Sequence, residues 1–156
     1  SLKISMVDYV ERMVDSFPEV ITTSAATPAA MHLFMSREDA PKLTEQKAQQ
    51  FHTTVARGLF LCKRARPNIQ LAIAYLSTRV KAPDEDDWKK LQRLIKYLYG
   101  TKQLALTLSM EDTRIIKWWV DVSFAVHEDC KSHTGGTMSM GKGSVISQST
   151  KQKKRS

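Results

Sequence analysis

Apolar positions in the first hundred residues recur at steps of three and four, the spacing of one face of an α-helix. Leu2, Met6, Tyr9, Val10, Met13 and Phe17 form the first stripe, closed by Pro18, because the residue before a proline is turned away from helical geometry. Residues 20–42 have no period and hold two prolines, which predicts a connector that packs Leu33 and Phe34. The spacing predicts a second helix from about Thr44 to Ala65, striped by Ala48, Phe51, Val55, Leu59 and Cys62, with Thr44 as its N-cap. Pro67 restarts the chain, and Ile69, Ala72, Ile73, Leu76 and Val80 stripe a third helix. A fourth opens after Pro83 with the acidic run Asp84–Asp87, placed where the helix dipole is positive. It buries Trp88, Leu91, Leu94, Ile95 and Leu98 and stops at Gly100.

After Gly100 the period falls to two. Leu104, Leu106 and Leu108 alternate as a half-buried strand requires, and residues 114–122 (RIIKWWVDV) form a second strand rich in β-branched and aromatic side chains. Residues 123–134 are polar and predict a loop. Residues 136–140 and 144–149 then predict a hairpin turning at Gly141–Gly143. The fold class is therefore α+β: helices over 1–100, then a sheet of three to four strands over 101–150, with a basic tail and no internal repeat. Trp88, Trp118 and Trp119 are expected in the core.

Composition narrows the class. With 156 residues, 42% hydrophobic and 26% charged, the chain is long enough to bury a core. No apolar run approaches the roughly 18 residues that span a bilayer, and no signal pattern opens the chain, so no membrane association is expected. Ser1 rather than methionine stands first, which points to a processed product or an excised segment. Two cysteines, Cys62 and Cys130, make no disulfide framework, as expected of an intracellular protein. Charge is uneven: residues 1–41 hold three basic and six acidic side chains, and residues 42–156 hold twenty-one and ten. That basic balance suits a polyanion such as nucleic acid, or a merely solvated surface.

Three groups of residues carry candidate chemistry. Asp121 ends an apolar strand, where a carboxylate holds a divalent cation or caps a turn. His127, Cys130 and His133 share one loop with zinc-type donors, but a structural zinc site needs four ligands, and local hydrogen bonding is the expected use. Arg57, Lys63, Arg64 and Arg66 cluster near the end of the second helix, and Lys151, Lys153, Lys154 and Arg155 cluster in the tail. Either cluster could contact phosphates, and the tail could be a nuclear localisation signal or a solubilising end.

Four ordered segments resemble the polymerase region of copia-type long-terminal-repeat retrotransposons. FHTTVARGLFLCKRARPNIQLAIAYLSTRV (51–80) resembles the block after that family's palm, and DDWKKLQRLIKYLYGT (86–101) its Trp…Leu…Arg…Tyr-Leu-x-Gly-Thr helix. WWVDVSFAVHEDCKSHTGG (118–136) resembles the start of the family's ribonuclease H, and STKQK (149–153) its Ser-x-Lys-Gln motif; FPEVITTSAATPA (17–29) is similar to the preceding linker. The resemblance implies that residues 1–100 are reverse-transcriptase thumb and connection. It also implies that 101–156 begin a ribonuclease H-like domain, with Asp121 as the first carboxylate of a two-Mg²⁺ centre that cuts the RNA of an RNA–DNA hybrid. Ser123 stands where many members have a second acid. The family's next metal carboxylates lie on a helix beyond Lys151–Lys153, and the palm aspartates lie before Ser1. The expectation is a fragment, in a cytoplasmic particle or the nucleus, that binds hybrid or the rest of its polyprotein but does not cut. A non-catalytic relic or domesticated binding module is the alternative. The strand of Asp121 should have one unpaired edge and one apolar face without helices.

Overall fold

The computed structural model describes residues 1–127 and 129–153. Its order is β1 (Leu2–Ile4), α1 (Val7–Asp15), α2 (Glu45–Arg64), a 3₁₀ turn (Pro67–Ile69), α3 (Gln70–Arg79) and α4 (Glu85–Gly100). β2 (Leu106–Met110), β3 (Lys117–Ser123), β4 (His133–Ser139), β5 (Gly141–Lys142) and β6 (Ile146–Lys151) follow. Among the described residues four helices and two antiparallel three-stranded sheets, β1-β2-β5 and β3-β4-β6, make the fold α+β.

The helices form where their local chemistry starts them. Thr44 Oγ1 accepts from the Lys47 amide at 3.3 Å and opens α2. Asp84 and Asp87 close a reciprocal capping box at the start of α4 (2.8 and 3.1 Å). Arg79, ending α3, reaches both carboxylates at 3.2 and 3.0 Å, so one guanidinium joins two helices. Burial of Asp87 pushes its carboxyl up against the pull of Arg79 and of the backbone donor. The core between α1, α2, α3 and α4 is built from Val10, Met13, Phe51, Leu61, Ile73, Leu76, Leu91 and Leu98, each almost wholly buried.

Several expectations change. Leu2 belongs to a strand rather than to the first helix: with Ile4 it pairs with Leu108 and Leu106, a hundred residues on. The stripe of α2 passes through Gly58 and Leu61, and Leu59 points outward. A Cβ at Gly58 would meet Ile73 Cδ1 at 2.3 Å, so the bare α-carbon lets α2 and α3 approach. β2, expected beside the later strands, pairs with β1 and β5, and the sheet of Asp121 has three strands.

Trp88 is buried, but Trp118 and Trp119 are 61% and 51% exposed, against the expectation of core. Trp119 lies on the face that lines an open cleft; for Trp118 the cause is topological. Among the described residues β3 pairs only with β4, and on the side of the sheet bearing Trp118, Val120, Val122 and Ile146 none of those residues is buried. Aromatic and β-branched residues reported strand propensity correctly; they did not report whether a covering layer exists.

Candidate functional site

Strand register puts Trp119, Asp121 and Ser123 of β3 on one face with Thr137, Gly135 and His133 of β4 and with Ser147, Ser149 and Lys151 of β6. This face turns toward the start of α3. Between them lies a cleft of about 700 Å³, lined by Pro67, Asn68, Leu71, Asp121, Gly135 and Ser149 among others. Asp121 lies directly opposite Gly135, around which a Cβ would touch nothing, so no cross-strand side chain shields or pairs with the carboxylate. It stands exposed. Water therefore solvates the carboxylate, and no cation is needed to offset its burial.

A two-metal nuclease centre needs several carboxylates converging on one point. Among the described residues Asp121 is the one carboxylate lining this cleft, and no group of three or more His, Cys, Asp or Glu side chains is gathered to hold a metal. The residues described here do not fit a two-Mg²⁺ centre.

The histidines of the loop serve a different arrangement. His127 Nε2 lies 3.0 Å from His133 Nδ1, and His133 Nε2 lies 2.5 Å from Ser149 Oγ. Both rings are buried, and Phe34 from the connector packs on both, with Tyr75 of α3 stacked on His127. Burial, helped by Lys151 and His133, pushes His127 down to about 4; burial also lowers His133. The pair is therefore neutral near pH 7, with one ring donating to the other. Cys130 is exposed, in the left-handed region at φ 55°. Asp129 takes Lys131 and Lys151 at 2.8 and 3.0 Å, which holds its carboxyl well below the usual range.

The predicted basic clusters divide. Lys63 is exposed and donates to the Ser147 carbonyl at 3.0 Å, and Arg64 lies over the Phe60 ring. Arg66 corrects the expectation of a phosphate contact, because it is 1% exposed. Its Nη1 and Nη2 donate to Thr101 O and Oγ1 and its Nε to Asn68 Oδ1, so it ties the end of α2 to the end of α4. Lys151 is paired with Asp129, Lys153 is exposed, and Lys154 and Arg155 lie outside the described residues. Sequence reasoning passed over a further basic set. Lys89, Arg93 and Lys96 recur at four and three residues along α4 and line a second groove; their spacing on the polar face was the available signal.

The chain is 27% identical over 157 residues to the retrovirus-related Pol polyprotein from transposon TNT 1-94 of Nicotiana tabacum, covering 97% of this chain and 12% of that protein. It is 21% identical over 153 residues to a transposon Ty5-1 protein of Saccharomyces cerevisiae, covering 98% of this chain and 49% of that one. The chain thus spans about half or less of the length of these relatives. No protein-family model and no solved structure matches it. Its homologues are retrotransposon polyproteins, which supports a retrotransposon origin. Among the described residues no helix is long and apolar enough to cross a membrane.

Proposed function

We propose that this chain is the part of a copia-type polyprotein in which reverse transcriptase passes into ribonuclease H. On this reading residues 1–100 are thumb and connection, residues 101–156 open the nuclease, and Asp121 is the first metal carboxylate of the parent enzyme. The chain by itself binds an RNA–DNA hybrid or duplex through cationic contacts to phosphate and does not cut it. The observation that carries this reading is the position of Asp121: exposed on a strand, facing a cleft, with no second carboxylate among the lining residues described. The homology to Pol polyproteins and the exposed Lys63, Arg64 and Lys153 support it.

Binding is tested by fluorescence anisotropy with a labelled hybrid over a salt series. The expected result is an affinity that falls linearly on a log–log plot, by about 0.9 per phosphate contact. Cleavage is tested on the same hybrid with Mg²⁺, and none is expected. Mg²⁺-dependent cleavage that Asp121→Asn abolishes would overturn the reading that the chain binds without cutting.

A further inference from the structure

α4 buries Leu91, Leu94, Ile95 and Leu98 and turns Lys89, Arg93 and Lys96 away from that core. Above this polar face, residues 23–33 of the connector form the opposite wall of a groove of about 640 Å³. The wall is mostly small side chains, among them Ala25, Ala26, Ala29 and Ala30, with His32 and Leu33 at one end, and it brings no acidic residue. The one carboxylate lining the groove, Asp86, is committed to Lys90 at 2.9 Å. Among the described residues no ion pair is formed by Lys89, Arg93 or Lys96.

Arg93 adds a second, independent sign. Its Nη2 donates to Thr27 Oγ1 of the wall at 3.0 Å, whereas its Nε is shut off from solvent and has no hydrogen-bond partner among the described residues. Arg93 Nη1 is neither buried nor hydrogen-bonded among the described residues, so the Nη end of the guanidinium is the part open to an oxyanion in the groove.

We infer that this groove is a binding site for the phosphodiester backbone of a nucleic-acid strand, held by Lys89, Arg93 and Lys96. The inference deepens the nucleic-acid reading above and rests on it. The spacing favours a polymer over one small anion. From residue 89 to 96 the helix rises about 10 Å, and a strand of a duplex presents a phosphate about every 3.4 Å of axis, so three cations face about three phosphates. Arg93, with its planar fork, is the residue suited to take one phosphate at two points; the lysines act as point charges.

The test uses the full chain and a fluorescent single-stranded DNA oligonucleotide, read by anisotropy over a salt series. Lys89→Gln/Arg93→Gln/Lys96→Gln is compared with the native chain and with Lys63→Gln/Arg64→Gln. The groove variant should bind about tenfold or more weakly at low salt and lose about 2 from the slope of log affinity against log salt, three contacts at about 0.7 each. If circular dichroism shows that the triple variant misfolds, Lys89→Gln alone, at an exposed position, should still lose about 0.7 of slope. Arg93→Lys should keep the slope while weakening binding. Unchanged affinity and slope in the groove variant would overturn the site. If the loss appears only in Lys63→Gln/Arg64→Gln, the groove fails and the nucleic-acid reading stands; if the native chain binds neither this oligonucleotide nor the labelled hybrid even at low salt, both fall. Competition separates the ligands. Inorganic phosphate or polyglutamate that displaces the oligonucleotide as well as unlabelled DNA does, at equal charge, would also overturn the assignment to a phosphodiester strand.

Discussion

His127 and His133 are residues whose surroundings change their chemistry. Each is buried, and each ring nitrogen that faces inward needs a particular proton: one ring donates, the other accepts, and Ser149 completes the chain. A second proton on His127 breaks that order and places a cation near Lys151 and Lys131, with Asp129 as the counter-charge. The folded ring titrates near 4 and an unfolded histidine near 6.5, so the unfolded chain takes up the proton first as pH falls. The stability this pair contributes is therefore complete above about pH 6.5 and is lost between there and about pH 4. Urea unfolding across that range should show a falling midpoint, and His127→Phe should flatten the slope. An equal pH dependence in the variant would assign the effect to other groups. Arg66 teaches the same lesson from the other side: a cation that reads as surface charge in the sequence is buried because Thr101 and Asn68 give it three acceptors.

At the level of elements, the contact between α2 and α3 turns on Gly58. A glycine inside a helix costs about 1 kcal/mol in backbone entropy relative to alanine, so its presence there is offset by the close approach to Ile73 and Met13. Gly58→Leu should destabilise the chain by about 1–3 kcal/mol through overpacking, seen as a lower urea midpoint with an unchanged slope. A variant as stable as the native chain would show that α2 and α3 can part without cost. How far these elements could be read in advance depended on their length. The four helices span several turns, and their stripes, together with Thr44, Asp84 and Pro67, announce them. β1 has three residues and no period of its own; only its partner β2 defines it. Asp121 was visible as a carboxylate on an apolar strand, but Gly135 opposite it and the exposure of β3 depend on register and covering layers. No local pattern encodes those.

For the molecule as a whole, the salient surface is the bare side of the β3-β4-β6 sheet. Trp118, Val120 and Val122 stand more than half exposed along a strand with one neighbour among the described residues, so apolar area and open backbone groups coincide. Such an edge is a template for association. Val120→Lys should raise the concentration at which the chain self-associates while leaving its helical circular dichroism intact, and sedimentation velocity would measure it. The same oligomer distribution in native and variant chains would show that this face is not sticky. The groove on α4 lies on a different element, so changes on β3 should leave its charge response unaltered.

The pairing of Leu2–Ile4 with Leu106–Leu108 has a consequence for biosynthesis. A ribosome extrudes the first of these strands long before the second exists, and the early segment must wait, unpaired, while roughly a hundred residues follow it. Closing a loop of that size costs on the order of 4 kcal/mol in chain entropy. The α-helical layer can consolidate as it emerges, through contacts nearby in the chain. Leu2–Ile4 is thus recruited after the helical layer, and deleting it would remove a latch that can be fastened only once Leu106–Leu108 has been made.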